Sequence, residues 1–371
     1  MDLELTDEQT WLAESIDTLL RREWPGAERA HESGPDERAK LWRALVEFGA
    51  LAVDREDGLG AVELCLLTRA TGSHLASVPL ADSAALRFAL EPHLGEAPDA
   101  FADLGDDSIA VALLEPGRGW SVNGVRTVAG LGGLTGRKAA VEHAGTVDRL
   151  AVVALVDGHP GLLLIPPTAT NIAVEGQTTL DPTLPRAAVT LTDVDVTGAP
   201  ALGGDLGRRV LSRLTAVGGL LAAAESVGAA DRLLDTARQY AAERRQFGRT
   251  IGSNQALRHL LADMYVRTAS SWSTVLYAAA ALDDDIEDAE QTAAIAKAYV
   301  ARAAREVAHG ALQVFGGIAF TQEHQAHRFL RRIVVREQQY GDARHHERAI
   351  GRALAARTSE RAAVSMPAPV G

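Results

Sequence analysis

Tyr240-Ala241-Ala242-Glu243-Arg244-Arg245-Gln246-Phe247-Gly248-Arg249-Thr250-Ile251 is the stretch on which the reading of this chain turns. It closes a proline-free run, residues 206 to 245, in which Leu206, Val210, Leu214, Val217, Leu221, Ala224 and Gly228 recur on one side at helical spacing. A helix over that run would span about 60 Å at 1.5 Å per residue. Further helical patterns cover about 254–283, 288–315 and 323–356. Four long helices with short connections describe a bundle.

Upstream the pattern changes twice. Residues 1–104 read as helices. Thr6 followed by Gln9 is a capping box, and Trp11, Leu12, Ile16, Leu19 and Leu20 supply an apolar stripe behind it. A second helix is expected after Pro35 with Leu41, Leu45 and Phe48 inward, a third over about 62–75 and a fourth over about 81–90. From Asp106 short β-rich runs follow at 109–114, 139–143, 150–156, 162–165, 172–175 and 187–191. Glu115-Pro116-Gly117, Val122-Asn123-Gly124, Asp157-Gly158 and Asp181-Pro182 mark turns between them. The expected fold is α+β: an N-terminal helical domain over 1–104, a middle antiparallel β domain over 105–202 and a C-terminal four-helix bundle over 203–371.

Composition narrows the function classes. Of 371 residues, 47% are hydrophobic, enough for a substantial core. Lys and Arg number 37 against 49 Asp and Glu, a net charge of -12, and such a surface repels phosphate backbones, so nucleic acid is not an expected partner. Cys65 is the one cysteine and sits in an apolar run, so it reads as core filler and an intrachain disulfide is impossible. The acidic N-terminus (Asp2, Glu4, Asp7, Glu8) is the opposite of a secretory signal, and no run reaches the ~20 apolar residues of a membrane span. A cytoplasmic location is the resulting expectation. No metal site is expected. His345-His346-Glu347 are neighbours about 100° apart on a helix, and His324 and His327 lack further ligands at the right spacing apart from Glu323. Arg328, Arg331, Arg332 and Arg336 read as a solvated helix face interspersed with Glu323 and Glu337.

The opening stretch, followed by Gln255, His259, Ala262, Asp263 and Met264, resembles the acyl-CoA dehydrogenase signature. A second block resembles it too: Gln313-Val314-Phe315-Gly316-Gly317-Ile318-Ala319-Phe320-Thr321, then Glu323 and Arg331. The resemblance implies an FAD shared across a subunit interface, an acyl-CoA or other acyl thioester as substrate, and an electron acceptor such as an electron-transfer flavoprotein. One subunit of the family holds the flavin ring, and its neighbour grips the ADP half. The gripping residues correspond here to Arg244, Gln246, Phe247, Gln255, Gln313, Gly316 and Gly317. Their chemistry suits the role: a guanidinium offers fixed donors to pyrophosphate, and Gly316-Gly317 lets backbone amides approach an anion. Singly, Arg244 reads equally as a solvated arginine and Gly316-Gly317 as a helix stop.

Elsewhere the resemblance breaks. The family reaction takes an α-proton with a carboxylate, commonly a glutamate before a Gly-Thr pair. An ungapped match puts Tyr340 at that glutamate, Gly341 at the glycine and Asp342 at the threonine. The family's alternative base site falls near Gly218-Gly219. A phenol with a pKa near 10 is a poor base at neutral pH. Asp342 and Glu225 are the replacement candidates, with a turn or cap residue and a structural ion pair as their respective alternatives. Glu337 is expected to pair with Arg336, Arg332 or Arg344 on the helix surface. In the β domain, Leu114 replaces a ring-holding threonine, Trp120 a serine, and Ala140-Val141-Glu142 the Trp-Ile-Thr that covers the flavin. Three functions fit: an FAD-dependent acyl-CoA dehydrogenase with a non-standard or partner-supplied base, a non-catalytic companion completing a homologous partner's flavin site, or other flavin chemistry. The assembly is then a heterodimer or α2β2 heterotetramer with a homologous subunit, or a homo-oligomer.

Overall fold

The computed structural model describes residues 3–55 and 58–364, so Asp2 and residues 365–371 lie outside it. The capping box forms: the Gln9 amide N–H donates to Thr6 Oγ1 and the Thr6 N–H to Gln9 Oε1. It starts helix α1 (Asp7–Glu23), which buries Ile16, Leu19 and Leu20. Trp11 does not join them and is 68% exposed. At 100° per residue it lies about 140° round the helix from Ile16, outside the stripe that the other residues share. Helices α2 (Pro35–Glu47), α3 (Ala61–His74), α4 (Leu80–Leu90) and the single turn α5 (Asp99–Ala102) complete this part. Cys65 is fully buried in α3, as expected of core filler.

The β region comprises β1 (Ile109–Ala112), β2 (Val128–Gly130), β3 (Gly133–Glu142), β4 (Arg149–Val156), β5 (His159–Ile165), β6 (Ile172–Gln177), β7 (Arg186–Val194) and β8 (Ala201–Leu202). They form one sheet of order β6-β7-β3-β2-β4-β5-β8, with β1 also on β4. The expectation of an antiparallel sheet needs correction, because β1 and β2 both run parallel to β4. The long connection from β1 to β2 returns the chain in the same direction, which a tight hairpin cannot do. Strand β1 is tied to α4 by side chains: Ser83 Oγ accepts from the Ile109 N–H at 2.8 Å, and Asp82 Oδ2 from the Val111 N–H at 2.9 Å.

Helix α6 (Gly204–Glu243) leads the bundle, followed by α7 (Gln255–Asp283) and α8 (Ala289–Phe315). It is the one described helix long and apolar enough to cross a membrane, and its apolar segment is largely buried inside the protein. Glycines let α3 meet it backbone to backbone: a Cβ on Gly228 would stand 1.8 Å from the Arg69 carbonyl oxygen, and one on Gly72 2.0 Å from that of Glu225. The helical pattern over 323–356 divides into α9 (Ala326–Gln338) and α10 (Ala343–Val364). Tyr340 at φ 57° and Gly341 at φ 107° break it, since neither conformation continues a right-handed helix.

Candidate functional site

Two regions carry the sequence-derived site residues. The first is one end of the bundle. Arg244 caps α6, its N–H donating to the Tyr240 carbonyl at 2.8 Å, and the chain then forms a hairpin of β9 (Arg245–Gln246) and β10 (Arg249–Thr250). Phe247 and Gly248 make its two-residue turn, both left-handed at φ 50° and 79°. Such turns select Asn or Gly, and a phenylalanine held left-handed costs about 1–2 kcal/mol. The Phe247 ring is fully exposed, so it gains no burial in return. Gln255 is the first residue of α7, beside the Asn254 cap. Tyr240 and Phe315, in the last turns of α6 and α8, pack ring to ring at 5.4 Å. Leu260 and Met264 of α7 pack where Gly310 of α8 leaves space. These contacts bring the Arg244–Gly248 hairpin, Gln255, Gln313 and Gly316-Gly317 to the same end of the bundle. Gly316 stops α8 with φ 67°, and nothing stands within 4 Å of where a Cβ on Gly316 or Gly317 would sit. The glycine pair is therefore both a helix stop and an open backbone surface. Arg244, Gln246, Phe247, Gln255, Gln313 and Gly317 are exposed. The neighbouring Ile318 (45%) and Phe320 (77%) add exposed apolar surface.

The second region lies where α6, α9 and the α9–α10 turn meet the sheet. Arg332 is fully buried. It donates to Asp181 Oδ2 at 2.6 Å, Glu225 Oε1 at 2.8 Å, Thr183 Oγ1 at 2.7 Å and the Ala76 carbonyl at 3.0 Å. One turn on, Arg336 donates to Glu142 Oε1 at 2.6 Å and to Gln339 Oε1. Its Nε lies 2.8 Å from Glu225 Oε2 but misaligned, so that contact is ionic only. Arg186 closes the cluster on Glu142. Three guanidinium groups thus face three carboxylates (Asp181, Glu142, Glu225). Burial pushes the Glu142 carboxyl up, but Arg336 and Arg186 outweigh it and hold it far below the usual range.

Two expectations are corrected here. Arg328, Arg332 and Arg336 are buried, and only Arg331 of that run faces solvent. Their spacing of four places them on one side of α9, where Arg332 and Arg336 meet Asp181, Glu142 and Glu225 and Arg328 donates to the Ala27, Glu28 and Gln322 carbonyls, instead of water. Glu337 pairs with none of Arg336, Arg332 or Arg344. It points about 100° away from Arg336, toward α8, where Arg305 Nη1 lies 3.1 Å from it.

Tyr340 completes this region. Its side chain is 4% exposed and its hydroxyl donates to Asp82 Oδ1 at 2.6 Å. The ring covers Gly218, where a Cβ would stand 2.6 Å from it, and Trp120 packs against it at 5.3 Å. Burial and the Asp82 carboxylate push the phenol well above its ordinary pKa, so it stays protonated. Burial, with Glu142 nearby, raises Asp82 to about 6. Behind them, burial and Arg336 lower Lys297 to about 7, and its Nζ donates to the Arg336 carbonyl. Neither base candidate is free. Asp342 caps α10, accepting the His345 N–H at 2.7 Å, and Glu225 is the counter-ion shared by two arginines.

A family model for the C-terminal domain of acyl-CoA dehydrogenases matches residues 205–355. The acyl-CoA dehydrogenase IpdE2 of Mycolicibacterium smegmatis is 32% identical over 338 residues, 88% of this chain and 93% of that protein. The acyl-CoA dehydrogenase FadE27 of Mycobacterium tuberculosis is 30% identical over 85% of this chain and 88% of its own. This chain belongs to the acyl-CoA dehydrogenase family. Among solved structures, a chain of the ChsE4–ChsE5 complex from Mycobacterium tuberculosis superposes with a TM-score of 0.80 at 27% identity, covering 99% of this chain and 100% of that one. A variant of the Tcur3481–Tcur3483 steroid acyl-CoA dehydrogenase superposes with a TM-score of 0.83 at 28% identity, covering 95% and 99%. Family members are oxidoreductases, and sequence reasoning found the blocks that carry membership. It missed Asp82, whose partner Tyr340 is remote in sequence, and the Trp120–Tyr340 contact, which joins residues 220 positions apart. The one available hint was that Trp120 and Tyr340 both replace smaller or charged residues of the family pattern.

Proposed function

We propose that this chain is a companion subunit of a heteromeric acyl-CoA dehydrogenase, lending its bundle end to the ADP half of an FAD whose ring and base belong to a homologous partner. The observation that carries this reading is Tyr340, buried on Gly218 and bonded to Asp82. Both positions at which the family pattern puts a base are thereby occupied by one phenol and the glycine beneath it. The fit to FAD is asymmetric. For the ADP half, Arg244 is exposed and has no side-chain hydrogen bond among the described residues, and the Gly316-Gly317 backbone is open. Arg244 would meet the pyrophosphate, Phe247 would find burial against the cofactor, and Gln246, Gln255 and Gln313 would donate or accept around it. For a ring of its own, the chain offers Ala140 in a left-handed bulge and Glu142 locked to Arg336 and Arg186. That surface does not fit a flavin ring.

The FAD, when bound between the subunits, supplies the hydride acceptor for desaturation of an acyl-CoA, and a protein such as an electron-transfer flavoprotein would reoxidise it. This chain orients and retains the cofactor, while Tyr340 fills the space over its own Gly218 and leaves acyl-CoA to the partner's side. Two of the similar solved structures bear paired names, which agrees with a two-chain assembly. The test is to purify the chain alone and with a homologous acyl-CoA dehydrogenase chain, measuring mass and flavin together. The expected result is no flavin on the chain alone and one per pair in the complex. A homo-oligomer carrying one flavin per chain and reduced by an acyl-CoA would sink the proposal.

A further inference from the structure

Outside both regions, a cavity of about 420 Å³ lies between α2 and the sheet. Pro35, Arg38 and Trp42 of α2 form one wall, and Pro79 and His143 contribute to the other. Its size falls within the range of small-molecule sites. Two of its polar groups are unsatisfied. Arg38 is half-buried, has no ion pair or side-chain hydrogen bond among the described residues, and its Nε is buried without a partner. The adjacent Glu37 does not neutralise it closely, because its carboxylate accepts the Gly34 N–H at 2.9 Å. Asp148, which also lines the cavity, is occupied by the N–H and hydroxyl of Ser108 at 2.8 and 2.6 Å. His143 is 3% exposed, and its Nε2 has no partner. It also sits left-handed at φ 55°, a conformation a histidine adopts at a cost. Burial pushes it down to about 3, so the ring is neutral and can donate through Nε2–H.

A half-buried cation and a buried imidazole, both lacking partners, are costly unless something completes them. We propose that this cavity binds a small carboxylic acid with a flat apolar body, its carboxylate bridging Arg38 and His143 and its body lying between the Trp42 indole and Pro35 and Pro79. An anion serves both groups at once, since the guanidinium offers only donors and the neutral imidazole donates in its Nε2–H tautomer, and the indole and proline rings provide apolar faces for the rest. The site needs neither flavin nor partner, so it stands or falls separately from the companion role.

Phenylacetate is a suitable probe, titrated calorimetrically into the full chain. Saturable binding at one site is expected, weakened about tenfold or more in Arg38→Gln, the loss of one charge-assisted bond. His143→Asn tolerates the left-handed backbone, so it keeps the fold while shortening the donor, and it should also weaken binding. Phenylacetamide, the same shape without the charge, should bind at least tenfold more weakly. Far-ultraviolet circular dichroism checks that both variants are folded. No saturable heat up to about 10 mM phenylacetate, full affinity in either folded variant, or equal binding of the amide overturns the proposal.

Discussion

Tyr340 and Asp82, 258 positions apart, share a hydrogen bond of 2.6 Å in which the phenol donates to a carboxylate that also accepts the Val111 N–H. One carboxylate thereby ties the α9–α10 turn to α4 and to strand β1. Burial and Glu142 raise the Asp82 pKa to about 6, against 3.8 for the unperturbed group, with the Tyr340 and Val111 bonds opposing the rise. Between those values the folded state holds a proton that the unfolded chain has released. The contribution of Asp82 therefore favours folding at low pH and fades as pH rises from about 4 to 6. Asp82→Asn removes this dependence while keeping both hydrogen bonds, with Oδ1 accepting from Val111 and Nδ2 donating to the tyrosine hydroxyl. Relative to the native chain, the variant should gain about 3 kcal/mol more at pH 8 than at pH 4, a two-unit shift converted at about 1.4 kcal/mol per unit. Urea unfolding at the two pH values measures the difference, and an equal effect at both rejects the assignment.

Phe247 is predicted to work against the stability of the isolated chain. Asn suits the left-handed turn position, so Phe247→Asn should raise the unfolding free energy of the chain alone by about 1 kcal/mol. In a reconstituted complex the same change should speed flavin loss on dialysis. Thermal melts and flavin absorbance read the two effects, and a variant that improves both properties would show the ring has no cofactor role.

Arg244→Ala should lower flavin retention in the complex by about ten- to a hundredfold, the worth of one charge-assisted hydrogen bond of ~1.5–3 kcal/mol. The melting temperature of the chain alone should not move, since Arg244 is exposed and its guanidinium makes no side-chain bond among the described residues. Undiminished flavin after extended dialysis removes Arg244 from the site.

Asp342 separates a cap from a base. Asp342→Asn keeps an oxygen for the His345 N–H, so turnover of the complex and stability of the chain should both be unchanged. Asp342→Ala should cost about 0.5–2 kcal/mol of stability with turnover still intact. A fall in rate of ~10²–10⁴ in the asparagine variant would instead make Asp342 the base.

Glu225→Gln should be far more damaging to the fold than its conservative shape suggests. It leaves Arg332 and Arg336 short of one buried countercharge, a loss of about 3–5 kcal/mol that denaturant unfolding would reveal. A change below 1 kcal/mol would mean the cluster does not depend on this carboxylate.

Much of the fold was legible because its signals are local. The Thr6–Gln9 box, Pro35 at a helix start and the proline-free run behind Tyr240 each act within a few residues. Strand direction was not legible, because β1 pairs with β4 through residues 40 positions apart and β2 with β4 through residues 27 apart, and alternation of side chains is the same in either direction. The arginines of α9 were misread for a related reason. Spacing shows that Arg328, Arg332 and Arg336 share a face, but whether that face meets water or buried carboxylates and carbonyls is a property of the other elements. The Arg244 and Gly316 blocks were readable as a resemblance. Nothing in the sequence revealed that Phe247 is strained and bare, since both properties come from the two-residue hairpin.

The cluster of three arginines and three carboxylates has an evolutionary consequence. Replacing Glu142 alone strands Arg186 and leaves Arg336 with Glu225 only, and replacing Arg336 alone leaves Glu142 with Arg186 only, and breaking a buried pair costs about 3–5 kcal/mol out of a typical 5–15 kcal/mol for a whole domain. Single substitutions toward an open ring surface therefore cross a valley of poorly folded intermediates. Interlocked charge acts as a ratchet: once the cluster has closed, selection can keep reshaping the exposed bundle end, but reopening the buried side requires several coordinated changes at once.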